Sequence, residues 1–242
     1  MTVWAELARA CNCAGDEIVL RNNGELYEIR FNGMELMSSF NHRSERILAE
    51  RTLLLLGRPA RKVLIGGLGL GFTLRAALDR LGARAAVTVC EIVPEIVEWN
   101  RYHLGHLAGH PLRDPRVDIR VGDVMTTLND AREDYDVVLM DTDNGPDFLV
   151  RATNGDLYED CGIRAVWRSL NPAGVAAFWS ATISPEFEKR LGALQWNWRR
   201  DDIGLVEGRP DAVHHIYVAT RHEADPARPG ALADVAYLTA AE

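Results

Sequence analysis

The rhythm of apolar and polar positions changes along the chain. Residues 16–37, DEIVLRNNGELYEIRFNGMELM, alternate with the two-residue period of strands. Asn22-Asn23-Gly24 and Asn32-Gly33 interrupt them with residues that tolerate the positive φ of tight hairpins. A small antiparallel β unit is predicted there. In SERILAERTLLLLG the apolar residues recur at helical spacing, and Gly57 stands where a helix C-cap is expected, ahead of Arg58-Pro59.

From Lys62 onward short apolar runs alternate with helical patterns, the grammar of a parallel sheet covered on both faces. KVLIG, AAVTVCEI, VDIRVGD and YDVVLMD read as successive strands; FTLRAALDRLG, PEIVEWNRYHL and LYEDCGIRAVWRSL read as helices. Asn171-Pro172-Ala173-Gly174 turns into the strand VAAFWSA, and QWNWRR with HHIYVAT suggests a closing antiparallel hairpin. Residues 223–242 show no clear period and are expected to form a tail or packing arm. The expected division is a β unit with its linker helix over 1–57, an α/β domain over 58–222 and a C-terminal tail over 223–242.

Composition narrows the possible partners. With 242 residues, 47% of them hydrophobic and 26% charged, the chain can bury a core as one large domain. Its net charge of −8 argues against a broad phosphate-binding surface, so a small molecule rather than nucleic acid is the expected partner. No apolar run reaches the length of a membrane span, and MTVWAELARACNCAGDEIV lacks the basic flank and long apolar core of a signal peptide; no membrane association and a cytoplasmic location are expected. Cys11, Cys13, Cys90 and Cys161 are too scattered for a disulfide framework. His103, His106 and His110 would share a helical face, but Gly105, Gly109 and Pro111 interrupt it, so a loop of solvated histidines and no metal are expected.

The chemistry concentrates in KVLIGGLGLGFTLRAAL, where a strand passes through four glycines into a helix. Such a turn lets the backbone approach a ligand and points N–H groups at it. A Walker A loop needs a lysine where Phe72 stands, and a dinucleotide fingerprint needs a third glycine at the same place. What remains is GxGxG, the looser pattern of nucleoside binders without a pyrophosphate, chiefly S-adenosylmethionine enzymes. Glu91 ends the second strand, where a carboxylate can accept both ribose hydroxyls; Asp123 ends the third, where it can accept an adenine amino group; Asp141 ends the fourth. Each has an alternative as a helix N-cap or a solvated loop residue. Together with the glycine turn they mark Gly67, Leu68, Gly69, Gly71, Glu91, Ile92, Asp123, Val124 and Asp141 as candidate donor-binding residues.

These segments resemble the spermidine synthase family of aminopropyltransferases, and more closely its short bacterial spermidine synthase-like members, over residues 17–220. RFNGMELMSSFNHRSERILAE is similar to the N-terminal hairpin and linker, VCEIVPEIVEWN to the ribose-acid segment, DPRVDIRVGDV to the adenine-acid segment and YDVVLMDTDNGPDFL to the catalytic loop. The resemblance implies a Rossmann-like seven-stranded methyltransferase fold with a small N-terminal antiparallel β unit, an active site between them, and a homodimer. It also implies that Asp141, matching the first aspartate of the family's D-S-S-D-P loop, orients and helps deprotonate an attacking amine, with Asp143 and Asn144 lining the acceptor pocket. His42 and Glu45 would close over the ligand or form a helix-capping surface pair; Tyr158 would face the pocket or pack in the core.

The chain departs from the family at three places. Leu70 replaces the aspartate that follows the first glycines, Asn144 replaces the second aspartate of the catalytic loop, and Leu36 with NHRSER stands where the family holds a diamine with Gln and Tyr. An intact methionine tail has a carboxylate that an aspartate would repel, whereas a neutral Leu70 beside exposed loop N–H groups would accept it. The expectation is therefore a transferase that moves an alkyl group, methyl ahead of aminopropyl, from S-adenosylmethionine to a small amine. Aminopropyl transfer from decarboxylated S-adenosylmethionine is the alternative, and a non-catalytic adenosyl-binding protein is the alternative of another class.

Overall fold

The computed structural model describes residues 3–11, 15–142, 145–146, 155–194, 196–209 and 211–221. Four strands, β1 (Ala5–Cys11), β2 (Glu17–Asn23), β3 (Leu26–Phe31) and β4 (Met34–Ser38), form an antiparallel sheet in chain order. Asn32 and Gly33 both adopt positive φ, 47° and 78°, which a two-residue hairpin with the right twist requires. Ile18, Leu20, Ile29 and Phe31 alternate onto its buried face. Glu28 is buried as well, and Arg21 and Arg30 neutralise it at 2.8 and 2.6 Å.

Helix α1 (Arg43–Leu55) follows; Leu48, Ala49 and Thr52 form its buried stripe, and Gly57 at φ 69° ends it as the sequence predicts. Next come β5 (Lys62–Gly66), α2 (Phe72–Arg80), β6 (Ala86–Glu91), α3 (Pro94–Trp99), β7 (Val117–Val121), α4 (Val124–Asp130) and β8 (Tyr135–Met140). Beyond them lie α5 (Gly155–Tyr158), α6 (Asp160–Ser169), β9 (Leu170–Ser180), α7 (Pro185–Ala193), β10 (Asn197–Gly204) and β11 (Val213–Thr220).

Seven of these strands form one sheet in the order β10-β11-β9-β8-β5-β6-β7. The run from β9 to β7 is parallel, and the hairpin β10–β11 closes the other edge antiparallel, as expected from QWNWRR and HHIYVAT. This is the Rossmann-like α/β fold read from the sequence. Val63, Leu64 and Ile65 of β5 and Val137 to Met140 of β8 have no solvent exposure, because helices cover both faces of the central strands. The crossovers leave β5 towards β6 on one side and reach β8 and β9 on the other. The gap between β5 and β8 is the switch point at which such sheets bind ligands.

Helix α1 packs against α2 and across β8, β9 and β11. The N-terminal sheet is thereby held over the carboxyl ends of β5 and β8. Asn41 fixes the linker by donating from Nδ2 to the Leu205 carbonyl at 2.7 Å. At the opposite end of the sheet, the buried Asp136 accepts from the Arg61 and Lys62 backbone N–H groups and pairs with Arg58 at 2.6 Å, which anchors the start of β5.

The predicted helix LYEDCGIRAVWRSL is broken into α5 and α6 at Glu159, which takes extended backbone angles. The histidine segment is not a plain loop. Residues 100–113 wind through a π turn (Asn100–Leu104) and two 3-10 turns (Gly105–Ala108 and Pro111–Arg113), and His106 meets Tyr27 edge-on at 5.3 Å. Among the described residues no three His, Cys, Asp or Glu side chains gather as metal ligands would, and no helix is long and apolar enough to cross a membrane.

Candidate active site

The glycine turn is stitched to both neighbouring strands. The Gly67 N–H donates to the Cys90 carbonyl of β6 at 2.8 Å, and the Asp141 N–H donates to the Gly66 carbonyl at 2.8 Å. Gly67 holds φ 87°, and a Cβ there would lie 2.0 Å from the Asp141 carbonyl oxygen, so both backbone angle and space demand glycine. Gly71, at φ 86°, turns the chain into α2. Asn100 supports the turn from outside, donating from Nδ2 to the Gly69 carbonyl at 2.8 Å.

Most of the expected anion-binding capacity of this turn is engaged internally. The Leu68 N–H donates to Glu91 Oε2 at 2.9 Å, and the Gly71 N–H donates to the Leu68 carbonyl at 2.8 Å. The N–H groups of Gly67, Leu68 and Gly71 thus all have protein acceptors. The exposed donors that were expected to receive an intact methionine carboxylate are not exposed at these three positions.

Glu91 is 5% exposed and accepts a second backbone N–H, from Val93, at 2.9 Å. Asp123 caps α4, accepting from the Met125 N–H at 2.8 Å, so the helix-cap alternative holds for it. Capping engages one oxygen and does not remove Asp123 from the site. Gly67, Glu91, Ile92, Asp123, Val124 and Thr142 surround one small cavity of about 30 Å³. The carboxylates at the ends of the second and third strands therefore meet beside the glycine turn.

A larger cavity of about 360 Å³ opens on the other side of Asp141, under the N-terminal sheet and linker. Leu36, Met37 and Phe40 form its roof, Leu70 and Phe72 one wall, and Trp179 and His214 the other. Glu35, Glu45 and Asp141 supply its charged groups, and among the described residues no lysine or arginine lines it. Thr73, in the first turn of α2, donates to Asp141 Oδ2 at 2.5 Å. Burial and the neighbouring Glu45 carboxylate push Asp141 up to about 7, a rise that the Thr73 hydrogen bond limits. Burial also raises Glu45. Two carboxylates close enough to repel one another favour holding one proton between them.

The other candidates fall at varied distances from this centre. His42 begins α1 without a side-chain cap and stacks its exposed ring on Phe72 at 4.0 Å. Tyr158 packs in the core against Phe187, and its hydroxyl lies 3.3 Å from Thr142 Oγ1. Asp143 and Asn144 lie outside the described residues. Thr73 and His214 were not singled out from the sequence. Thr73 had only its position after the glycine turn as a signal. His214 had the pair His214-His215, of which one member must face each side of β11.

Comparison with known proteins places this geometry in context. The spermine/spermidine synthase domain matches residues 44–191. A polyamine aminopropyltransferase of Clostridium tetani is 34% identical over 82 residues, covering 34% of this chain and 29% of that protein. One of Korarchaeum cryptofilum is 30% identical over 111 residues, 46% of this chain and 34% of that protein. The matched segments thus span about a third of these relatives. Among solved structures, spermidine synthase from Thermotoga maritima superposes with a TM-score of 0.71 at 19% identity, over 89% of this chain and 72% of the other. A probable spermidine synthase from Corynebacterium glutamicum gives 0.65 at 16% identity, over 91% and 81%.

Proposed function

Because the chain belongs to the spermine/spermidine synthase family, we propose that it transfers the aminopropyl group of decarboxylated S-adenosylmethionine to an amine. The observation that carries this reading is the charge of the larger cavity, where Glu35, Glu45 and Asp141 line the wall and, among the described residues, no lysine or arginine does. A cationic aminopropyl tail and a cationic acceptor are attracted there, whereas the carboxylate of intact S-adenosylmethionine is repelled. This reverses the preference for the intact donor drawn from Leu70 and the loop N–H groups. Leu70 removes one acid from the site, but the fold brings Glu45 to Asp141.

The residues suit an adenosyl group at the glycine turn. Glu91 ends β6 beside the glycine turn, where its carboxylate suits the ribose hydroxyls. Asp123 keeps one oxygen for the adenine amino group while the other caps α4. The sulfonium supplies an activated carbon, so the protein has to align the nucleophile, exclude water and hold the amine unprotonated. Asp141 takes the proton from the acceptor ammonium, Thr73 fixes its orientation, and Leu36, Met37, Leu70 and Trp179 bound the acceptor's carbon chain. Asp143 and Asn144, two and three positions after Asp141, keep their assignment to the acceptor in this reading.

The test is incubation of the purified protein with either donor and a pool of amines. Methylthioadenosine released from the decarboxylated donor, with an aminopropylated amine detected by mass spectrometry, is the expected result. S-adenosylhomocysteine from the intact donor would replace this reading with methyl transfer. Calorimetric binding of the nucleoside without either product would make the chain a binding protein.

A further inference from the structure

Aminopropyl transfer releases one proton per turnover, because an ammonium and a sulfonium become a secondary ammonium and a neutral thioether. In this cavity that proton arises beside half-buried carboxylates whose pKa values are raised, and a route out keeps them available. Ser44, with no solvent exposure, donates from Oγ to Glu45 Oε2 at 2.6 Å, and the same oxygen lies 2.9 Å from His214 Nδ1. His214 comes from β11, 170 positions along the chain from Ser44, and lines the cavity with its ring edge-on to Trp179 at 4.6 Å. The Asn41 bond to Leu205 holds the start of α1 against this hairpin.

We propose that Ser44 and His214 form a proton relay that drains the Glu45–Asp141 pair, making His214 a positioning and relay residue for catalysis. The inference rests on the aminopropyl-transfer reading. With Glu45 ionised, His214 donates its Nδ1–H to Ser44, and Ser44 donates to Glu45. When the pair has taken the ammonium proton, the polarity reverses: His214 exchanges to its Nε2–H tautomer, losing the Nδ1 proton to water and gaining one from water at Nε2, Glu45 donates to Ser44, and Ser44 donates to the bare Nδ1. Transfer along both bonds leaves Glu45 ionised, Ser44 neutral and His214 an imidazolium, which loses its Nε2 proton to water. The hydroxyl gives up one proton as it gains another, so charge and atoms balance.

The groups around the relay favour rapid release. Glu35 on β4, Glu45 on α1 and Asp141 after β8 lie on the cavity side, with Glu91 on β6 beyond Asp141. His42 adds a weak attraction to the Glu45 anion. His215 neighbours His214 along β11 and is paired with Asp202 of β10 at 2.7 Å. Burial and His215 hold His214 down to about 4, so the imidazolium is short-lived at neutral pH and the residue returns to its neutral, accepting form.

His214→Phe keeps the ring packing and removes both nitrogens; His214→Ala opens room for added imidazole; Ser44→Ala removes the central hydroxyl. Each should lower kcat 10- to 100-fold with the KM for both substrates within about threefold, and imidazole should restore turnover to His214→Ala but not to Ser44→Ala. A kcat within twofold of the parent in the folded variants, or a loss confined to KM, or no rescue by imidazole, would overturn the relay. A second measurement separates this from failure of the transferase reading: the Glu45 side-chain carboxyl, followed by carbon NMR, should titrate at higher pH in His214→Phe and Ser44→Ala than in the parent chain, with or without turnover. Titration at an unchanged pH would sink the relay even if the chain were an aminopropyltransferase.

Discussion

The Thr73 hydroxyl and the Asp141 carboxylate meet at 2.5 Å, joining the first turn of α2 to the end of β8 across the switch point of the sheet. That bond favours the ionised carboxylate, while burial and Glu45 oppose it. Thr73→Val keeps the shape and removes the donor. Turnover should fall about tenfold below pH 7, and the acidic limb of the pH–rate profile should move to higher pH. Nucleoside affinity, measured by calorimetry, should stay within about twofold.

Asp141 also couples activity to stability. Its raised pKa means that the folded chain keeps a proton which the unfolded chain has already released. The contribution is fully present below the ordinary carboxylate range and is lost as pH rises through about 7. Asp141→Asn, which still accepts from Thr73, should abolish turnover and raise the melting temperature at pH 8 by about 2–4 °C. At pH 4 the two chains should melt together, as differential scanning calorimetry at both values can show.

His214 predicts the opposite slope. With its pKa lowered to about 4 by burial and His215, the folded chain resists a proton that the unfolded chain accepts near its ordinary value. This contribution is present above about pH 6.5 and is lost as pH falls towards 4. Urea unfolding of His214→Phe should show a shallower loss of stability between pH 6.5 and 4 than the parent chain.

The glycine turn has little steric tolerance at Gly67. Gly67→Ala places a methyl group 2.0 Å from the Asp141 carbonyl at a φ of 87° and should cost at least about 2 kcal/mol. Gly82→Ala, with nothing within 4 Å of the added carbon and an ordinary φ, should be neutral or slightly stabilising. Equilibrium denaturation of the pair separates the space at the turn from a general effect of replacing glycine.

Asp123 separates two roles in one residue. Asp123→Ser retains an oxygen for the Met125 N–H and so keeps the cap of α4. Helix content should be unchanged while methylthioadenosine affinity falls about tenfold, read by calorimetry beside circular dichroism. Equal affinity in both chains would leave Asp123 with the cap alone.

Much of this architecture was legible in local patterns. The hairpins announced themselves through Asn32-Gly33, and the central strands through KVLIG and YDVVLM, apolar at nearly every position because both faces are covered. Other elements lacked such signals. In β1, AELARAC has no β-branched residues, and it becomes a strand by pairing with β2. Helix α4, at seven residues, is too short to express a period. Helix α7 did carry one: Ser184 accepts the Phe187 N–H and Pro185 opens the first turn, a start signal that lay between two stronger patterns.

Within the site the division has one physical cause. Backbone conformations and strand ends are set by neighbours in the chain, so the glycine turn, Glu91, Asp123 and Asp141 could be placed at one sheet edge from the sequence by itself. The charge and proton balance of the cavity depend on side chains that meet only after the chain has folded. Glu45 arrives on α1, Thr73 on α2 and His214 on β11, and no periodicity relates them. The loss of an acid at Leu70 could be read directly, whereas the approach of Glu45 to Asp141, on which the proposed donor rests, was decided by the packing of α1 over the switch point.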